Sequence, residues 1–530
     1  MDVQEIRSHD SATQAFLDAL TAVCGKGGGL ETGAAQLNFA SLDLFFEGHA
    51  PLAEVSPASA QQLSVIVKLC RKHGVAIFAR GGGMSYTKAF QPTCDKAITL
   101  EFSRLCAIRS IAPEDGHVTV EAGCTWAQLD EALAPHGRRA RFWGPMSGIS
   151  ATIGGSMSQG TVTFGSGTTG ASANAVKSFE IVTGTGEILH TGSDGSSNVG
   201  PDNRNFGPDL TGVFANDAGA LGIKTAVTLE IEPRPEHVSG LSFAYDDFPA
   251  MARLFGELIQ RRLASEIIAM DGDVARQNSG QPNLLQDAKA MWMVGKAAGN
   301  PVAALGRMAR IAMGGRRFID RAKYTAHFVV EGRDRKELAS RIGAIRDLAK
   351  SGTEIVNTVP LTIRAMPFPV LPVTHPDGRR MLPIHAIFPP TALCEFHEAY
   401  LALKQKFAVR MEPAGVTVAE FFAGIAGVGI LYEPVFYWPD KLTEYHRRLT
   451  PDYLDGKMTE HADNALARAL VTEFTEAFVV LANRYGGTHF QIGRLYPYAV
   501  NRDPAASEFL RAIKTHLDPD GIINPQALGL

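Results

Sequence analysis

The chain has 530 residues, more than the roughly 250–300 at which one hydrophobic core usually stops growing, so its length predicts two domains. Its 45% hydrophobic residues, 20% charged residues and formal net charge of -4 are those of an ordinary globular protein and argue against a nucleic-acid partner. The six cysteines lie far apart without a CxxC pair, so the sequence indicates neither a disulfide framework nor a metal site.

The N-terminal segment, MDVQEIRSHDSATQAF, is charged and lacks the apolar core of a signal peptide. No stretch elsewhere approaches the ~18 uninterrupted apolar residues of a membrane-spanning helix. We therefore expect a cytoplasmic protein, or one that is peripheral to a membrane.

The first strongly patterned segment is ASAQQLSVIVKLCRKHG, which follows Pro57. Its apolar residues recur on one face at helical spacing and Gly74 provides a stop, so the pattern predicts an amphipathic helix. A short apolar run from Val75 to Phe78 then ends in a triple glycine, and strand-like segments follow at Ala97–Leu100 and Val118–Gly123. Helix and strand alternate in this part of the chain.

Downstream, the sequence TWAQ from Thr125 is a capping-box pattern that begins another helix. From Gly144 to Gly170 the chain is rich in Gly, Ser and Thr, a composition suited to laying backbone against a ligand, with a disordered linker as the alternative. The strands Ser178–Val182 and Glu187–Thr191 flank a glycine-containing turn and predict a hairpin, and a further strand leads to Pro235.

A change of composition near Pro235 predicts a domain boundary. From there to about Tyr485, long helical patterns such as Arg335–Lys350 and Asn464–Gly486 alternate with short strand candidates. This mixture predicts an α+β domain in which helices cover an antiparallel sheet.

The segment IFARGGGMSYTKAF, Ile77 to Phe90, raises the question of a phosphate cradle, with a solvated turn as the plain alternative. A dinucleotide-binding Rossmann loop requires a helix after the glycines, but Met84–Pro92 has no helical periodicity. A Walker loop requires a Lys-Ser/Thr pair at a helix start, which is absent here. Successive glycine N–H groups can still form an anion-binding nest without a helix.

Several such segments together resemble the vanillyl-alcohol oxidase/p-cresol methylhydroxylase superfamily of FAD-dependent oxidoreductases. Matching blocks span roughly Pro57 to Pro235 and about the last twenty residues. Each block is weak alone, and five in the right order are specific. The blocks are PASxxxL with IVKL from Pro57, RGGGMS at Arg80–Ser85, GxxATIGGS at Gly148–Ser156, ALGIKT at Ala220–Thr225 and LDPDGIINP at Leu517–Pro525.

The resemblance implies an α+β fold with an FAD-binding domain of two α+β subdomains and an α+β cap domain with an antiparallel sheet. It implies an FAD-binding domain at residues 1–235, a substrate or cap domain at 236–486, and a C-terminal segment at 487–530 that returns to the FAD-binding domain. It also implies the residues that contact the cofactor along the pyrophosphate, the ribityl chain, the flavin and the adenine end. These are Arg80, Gly81, Gly82, Gly83, Met84, Ser85, Pro145, Met146, Ile149, Thr152, Ile153, Gly155, Ser158, Gly222, Ile223 and Asn524.

Many relatives carry a histidine after their glycine pair that bonds covalently to the flavin, and Met84 stands at that place here. Other relatives use a His or Tyr from the cap, where this chain offers Tyr432 and Tyr437. We therefore expect noncovalent FAD, with a tyrosyl link as the lesser alternative.

Oxidation of an alcohol needs a hydride acceptor, a base and a group that fixes the substrate. His489 is the first candidate base, and Arg494 could hold a carboxylate through its planar fork. His385 and Tyr432 are further catalytic candidates. Structural roles for both histidines, for Arg494 and for the aromatic cluster remain open alternatives.

Phenol-oxidising members clamp a phenolate with a Tyr-Arg pair, but here Gly486 and Gly487 precede Thr488 and His489. They also place an acid near the reactive ring, where this chain has Ser158. Our first hypothesis is therefore a dehydrogenase of a D-lactate-like 2-hydroxy acid, with hydride transfer to flavin N5. The alternatives are a phenolic-alcohol or alkylphenol oxidase or hydroxylase, and a flavin-binding protein without catalysis.

The expected partners are a small alcohol substrate and an electron acceptor, which is oxygen, a cytochrome or a quinone. A homodimer is also considered.

Overall fold

The computed structural model describes residues 10–25, 29–272, 322–355, 359–365, 367–368, 373–375, 377–450, 458–500 and 502–530. Within these ranges the chain folds around three sheets and their covering helices. None of the helices in these ranges is both long and apolar enough to span a bilayer. The mixed α+β fold with antiparallel sheets confirms the fold class predicted from the sequence.

The first sheet is small and partly parallel, in the order β1-β2-β4-β3. Strand β4 lies between β2 and β3 and is parallel to both, as expected for strands that are joined through a helix. The helix at Ala60–His73 covers this sheet and carries the apolar face read from the sequence. The strands are β1 (Leu30–Glu31), β2 (Ala53–Val55), β3 (Ala76–Arg80) and β4 (Ala97–Glu101).

The second sheet is antiparallel, in the order β5-β6-β10-β8-β9, with one short strand added beside the long β10. The predicted hairpin is present, because β8 and β9 pair antiparallel across the glycine-containing turn. The predicted capping box at Thr125 and Gln128 is also present at the start of a helix. The strands are β5 (Ile108–Ala112), β6 (His117–Glu121), β7 (Arg138–Ala140), β8 (Val176–Val182), β9 (Ile188–His190) and β10 (Ile223–Pro233).

The third sheet is the largest and is antiparallel throughout its described strands. Its main path runs β14-β11-β13-β12-β17-β18-β15, and β16 also pairs with β18. It begins at His237, shortly after β10 ends at Pro233. The strands are β11 (His237–Tyr245), β12 (Glu266–Asp271), β13 (Tyr324–Gly332), β14 (Thr353–Glu354), β15 (Arg380–Pro383), β16 (Ala386–Phe388), β17 (Thr417–Ile425) and β18 (Gly429–Trp438).

Helices cover the three sheets, and the longest of them pack on one face of the third sheet. The two helices predicted in this region are found at Arg335–Leu348 and Ala465–Arg484. The helices are α1 (Ser11–Cys24), α2 (Ala34–Ala40), α3 (Ala60–His73), α4 (Trp126–Leu133), α5 (Ile153–Gln159), α6 (Ser166–Thr169), α7 (Leu210–Phe214), α8 (Phe248–Arg261), α9 (Arg335–Leu348), α10 (Val359–Ala365), α11 (Pro390–Met411), α12 (Glu444–Leu449), α13 (Ala465–Arg484) and α14 (Pro504–Leu517).

The end of the chain returns to the first sheet. The N–H of Ile77 in β3 donates to the carbonyl of Ile522 at 2.7 Å, and the N–H of Asn524 donates to the carbonyl of Ile77 at 2.9 Å. The last residues thereby complete the free edge of β3, immediately before the triple glycine. The strand that leads into the glycine loop is therefore paired with β4 on one edge and with the C-terminal segment on the other.

Candidate functional site

The triple glycine forms an open loop at the end of β3. No backbone carbonyl of the described chain accepts a hydrogen bond from the N–H groups of residues 81–85. Successive free N–H groups can bind an anion without a helix. As the sequence predicts, no helix follows the glycines directly, and the next helix in this described stretch begins only at Trp126.

Two of these glycines are required because the loop lies so close to the facing segment. A Cβ at Gly82 would collide with the carbonyl oxygen of Ser150, and a Cβ at Gly81 would collide with the hydroxyl of Thr152. The loop therefore lies directly on the glycine-rich segment before α5. Any larger residue here would separate the two walls.

Between these walls lies a cleft of about 900 Å³, counting the open space at its mouth. It is formed by the glycine loop, the segment before and within α5, the start of β10 and the C-terminal segment. These are the regions that the resemblance assigns to the cofactor. The residues assigned to FAD from the sequence that line it are Gly81, Gly82, Gly83, Met84, Ser85, Pro145, Thr152, Gly155, Ser158, Gly222, Ile223 and Asn524.

Four assigned residues do not line the cleft. Arg80 lies beneath the loop, where its guanidinium covers the ring of Phe39 at 4.2 Å. Ile153 is fully buried in the core of the second sheet, and Met146 packs against the same core. The side chain of Ile149 is 43% exposed. These four residues belong to the predicted segments but are not among the residues that line the cleft.

Two glutamines that sequence reasoning missed also line the cleft, Gln159 and Gln491. The side-chain oxygen of each is buried without a hydrogen-bond partner in the described chain. The N–H of Gln491 donates to the carbonyl of Gln159 at 2.6 Å, which holds the two residues together although Gln491 has a positive φ of 48°. A buried amide without a partner is costly, so this pair indicates a polar ligand.

The cleft suits FAD in three respects. Its loop offers free N–H groups to a pyrophosphate, its glycine-lined walls admit a flat group, and its two glutamine amides match the polar edge of a flavin. The residues present therefore fit the cofactor.

The third sheet comes close to the cleft through its strand β18, which contacts the loop after the triple glycine. Along β18, alternate side chains point to opposite faces, as in any strand. Tyr432 and Phe436 face the helices, whereas Leu431 and Glu433 face the other way. The hydroxyl of Tyr86, next to the cleft-lining Ser85, donates to Glu433 Oε1 at 3.1 Å. Burial raises the pKa of Glu433 to about 7, and the Tyr86 hydrogen bond partly opposes this rise.

The two histidine candidates lie together at this junction. His489 Nδ1 is 2.8 Å from the carbonyl oxygen of His385, so it carries the proton and donates. His489 Nε2 is buried without a partner in the described chain. Its ring stacks on Tyr496 at 4.1 Å, and the Tyr496 hydroxyl accepts the N–H of His385 at 2.8 Å. Burial lowers the pKa of His489 to about 4 and that of His385 to about 3, so both rings are neutral near pH 7.

The structure does not bring Tyr432 to the cleft. Its side chain is fully buried in the core between the sheet and the helices, where its hydroxyl is 2.8 Å from Nδ1 of His397. The proposal of a catalytic or flavin-linked Tyr432 therefore needs correction, because the side chain lies on the opposite face of β18 from Glu433.

Arg494, the candidate ligand for a substrate carboxylate, is already engaged by groups of the protein. Its guanidinium donates to the carbonyls of Lys88 at 2.6 Å and Pro525 at 2.9 Å, and to the side chain of Asn524. These contacts engage both terminal nitrogens of the guanidinium group and its Nε. Arg494 thus clamps the C-terminal segment to the loop after the triple glycine, and this use competes with binding a substrate carboxylate.

Comparisons with known proteins agree with this geometry. The family described as FAD binding domain matches residues 51–192, and the family described as FAD linked oxidases, C-terminal domain, matches residues 461–528. Glycolate oxidase subunit GlcD of Bacillus subtilis is 27% identical over 215 residues, which are 40% of this chain and 44% of that protein. The 1'-carboxy-chondrochloren decarboxylase of Chondromyces crocatus is 30% identical over 200 residues, 36% of each chain. Such alignments span less than half the length of these curated relatives.

Solved structures establish the fold. p-Cresol methylhydroxylase with substrate bound has a TM-score of 0.71 and 15% identity, covering 99% of this chain and 98% of its own. The 4-ethylphenol oxidase of Gulosibacter chungangensis has a TM-score of 0.68 and 15% identity, with the same coverage. The resemblance read from the sequence and the FAD cofactor are confirmed. The two family matches and the shared fold make the chain similar to the vanillyl-alcohol oxidase/p-cresol methylhydroxylase type of FAD-linked oxidoreductases.

Proposed function

We propose that the protein is an FAD-dependent oxidoreductase that oxidises the CH–OH group of a small alcohol where the cleft meets the third sheet. The observation that carries this proposal is that the cofactor cleft and the polar cluster of Tyr86, Glu433, His385 and His489 lie side by side. Ser85 and Gln491 line the cofactor cleft, while Tyr86 and His489, one and two residues away, belong to the polar cluster beside it. Bound FAD supplies a two-electron acceptor, and the cluster supplies groups that bind a hydroxyl and receive its proton.

The residues of the cleft would hold the cofactor by complementary means. The N–H groups of residues 81–85 would bind the pyrophosphate, and the amides of Gln159 and Gln491 would bind the polar edge of the flavin. Neutral His489 offers Nε2 as an acceptor for the substrate hydroxyl, since its Nδ1 proton is committed to the His385 carbonyl.

Noncovalent attachment of FAD is part of the proposal. The thioether of Met84 lines the cleft at the place where many relatives have a bonding histidine, and Tyr432 lies in the core. Denaturing the purified protein should therefore release its yellow chromophore into the supernatant. A chromophore that stays with the precipitated protein would refute this part.

The described walls favour an uncharged alcohol over a 2-hydroxy acid. A buried carboxylate needs a cationic partner, but Arg494 is engaged by the C-terminal segment and Lys224 is ion-paired with Asp217 at 2.7 Å. A substrate anion would also lie near Glu433. These contacts support an uncharged alcohol in place of the 2-hydroxy acid preferred from the sequence, and an aromatic alcohol bound in its neutral form is a candidate of this kind.

A 2-hydroxy acid remains the second candidate because of two relatives. Glycolate oxidase subunit GlcD of Bacillus subtilis and the mitochondrial D-lactate dehydrogenase [cytochrome] 1 of Saccharomyces cerevisiae, 27% identical over 211 residues, carry such substrates in their names. The alignment covers 38% of this chain and 34% of the yeast protein.

Anaerobic flavin reduction tests the proposal directly. The purified protein is mixed with 4-hydroxybenzyl alcohol, vanillyl alcohol, D-lactate or glycolate, and the flavin absorption band is followed. Bleaching by the aromatic alcohols alone supports the favoured substrate class, and bleaching by the hydroxy acids alone supports the second. Protein purified without FAD, or FAD that no alcohol reduces, would contradict the function. Reoxidation by oxygen, a cytochrome or a quinone then identifies the acceptor.

A further inference from the structure

Ser158 lines the cleft, and its hydroxyl donates to the Gly154 carbonyl at 3.0 Å. A carboxyl group reaches the junction from another wall. Glu433 projects from β18 on the face that carries Leu431, which packs with Phe490. Phe490 directly precedes the cleft-lining Gln491. Glu433 therefore lies on the face of the third sheet that packs towards the cleft.

Tyr86 connects Glu433 to the cofactor loop. It directly follows Ser85, which lines the cleft, and its hydroxyl donates to Glu433 Oε1 at 3.1 Å. The Tyr86 ring is also 6.3 Å from the ring of His385. The loop that would hold FAD and the carboxyl group on β18 are thus joined by one side chain.

The other titratable groups that act on Glu433 are neutral near pH 7. Tyr496 and Tyr437 lie close enough for the Glu433 charge to raise the pKa of each hydroxyl further above its ordinary value. His385, which contacts both Tyr86 and Tyr496, has a pKa lowered to about 3 by burial. Tyr86 itself has a pKa raised well above 10. Glu433 is the member of this group that changes its charge near neutral pH.

We propose that Glu433 is the catalytic base of this site and receives the hydroxyl proton of an uncharged alcohol, with Tyr86 as the residue that positions it. This inference rests on the proposed function. The O–H bond breaks and its proton passes to the Glu433 carboxylate. The carbon gives up its hydrogen with the bonding pair to the bound FAD, which is the oxidant, and a carbonyl group forms. The proton later leaves Glu433 to solvent.

His489 is less suited to this step than the sequence suggested. Its imidazole has a pKa of about 4, so it holds a proton weakly, and a base works best when its pKa lies near the working pH. Its free Nε2 suits a hydrogen bond that orients the hydroxyl. The geometry separates the two roles between Glu433 and His489.

The test compares Glu433→Gln and Tyr86→Phe with the wild type, all loaded with FAD, in anaerobic flavin reduction by 4-hydroxybenzyl alcohol or, if only this reduces the wild type, by D-lactate. Rates are measured from about pH 5.5 to about pH 9. Over this range the wild-type rate should rise as the base deprotonates, and this rising part of the pH–rate profile is called the pH limb. Glu433→Gln should lower the rate by about 100-fold or more and abolish this limb. Tyr86→Phe should move the limb to higher pH by up to about one unit, because it removes a hydrogen bond that lowers the Glu433 pKa.

A matched pair on the other face of the sheet provides controls. Tyr400 donates to Glu420 Oε1 at 2.6 Å in the core between the third sheet and α11. Glu420→Gln and Tyr400→Phe remove the same chemical groups, and neither should move the pH limb. A readout that does not depend on turnover is urea unfolding of the FAD-loaded protein as a function of pH, which Glu433→Gln alone should flatten.

The possible failures are distinguishable. A wild-type flavin that no alcohol reduces overturns the proposed function, and this proposal with it. A reducible wild type whose pH limb survives in Glu433→Gln, or moves equally in the controls, overturns the role of Glu433 and leaves the function standing. If Glu433→Gln does not fold, Tyr86→Phe decides alone, and an unmoved limb overturns the proposal.

Discussion

Glu433 should make the protein less stable as the pH rises, and replacing it by glutamine should remove this effect. The side chain has an ordinary pKa of 4.5 and a folded-state pKa of about 7, raised chiefly by burial. Below about pH 4.5 the carboxyl is protonated whether the chain is folded or unfolded. Between about pH 4.5 and about pH 7 the unfolded chain releases the proton first, so the free energy of unfolding falls as the pH rises.

The size of the effect follows from the same two pKa values. Each unit of difference corresponds to about 1.4 kcal/mol, which gives a cost of at most about 3.5 kcal/mol above pH 7. The carboxyl is only partly removed from water, so the measured cost should be smaller than this limit. Glutamine has nearly the same shape and no charge, and it can still accept the Tyr86 hydrogen bond.

Urea unfolding of the FAD-loaded protein at about pH 5 and about pH 8 measures this effect. The stability advantage of Glu433→Gln over the wild type should be small at the lower pH and larger at the higher pH, and the variant should lose activity. Equal pH dependence in both proteins would refute the reasoning, because the carboxyl would then be solvated. A variant that is both more stable and less active is expected of a residue kept for chemistry.

Three further predictions concern the cofactor cleft. Gly82→Ala should destabilise the protein by about 1–3 kcal/mol and reduce its FAD content, because the new methyl group would collide with the Ser150 carbonyl oxygen. Urea unfolding measures the stability and absorption spectra measure the FAD content, and a normal FAD content would contradict the close packing. Gln491→Ala should weaken FAD binding by about five- to tenfold in a fluorescence titration of apoprotein, and unchanged affinity would show that its amide does not contact the cofactor. Arg494→Ala should lower the unfolding midpoint and FAD retention by freeing Asn524, whereas an effect confined to the KM of a hydroxy acid would restore the carboxylate role.

Much of the cofactor cleft could be predicted from the sequence because its determinants are local. Three successive glycines indicate backbone that approaches another group closely. The lack of a helix directly after Gly83 excludes the Rossmann and Walker phosphate loops. Ile149 and Ile153 belong to the predicted segment but do not line the cleft, since Ile149 is largely exposed and Ile153 is buried in the core. A resemblance assigns segments more securely than it assigns side-chain directions.

The polar cluster beside the cleft was harder to predict because its members meet only in three dimensions. Tyr86, Glu433 and His489 come from three distant segments, and nothing in their spacing joins them. One signal was present, however. In a strand whose even-numbered residues include Tyr432 and Phe436, period-two alternation places Glu433 on the opposite face, and a lone acid among apolar neighbours invites a functional explanation.

The pairing of β3 with the end of the chain has a consequence for how the protein assembles. The segment that completes the edge of β3 comes after the entire third sheet in the sequence, so the cofactor loop closes only when two distant stretches have met. Closing so long a loop costs entropy, and contacts of this kind form late in folding. If FAD contacts the glycine loop on one side and Asn524 on the other, as we propose, it would act as a crosslink between two stretches that are far apart in the sequence. Loss of the cofactor should therefore destabilise the third sheet as well as the cleft. Limited proteolysis should cleave the apoprotein faster than the FAD-loaded protein in both of these regions.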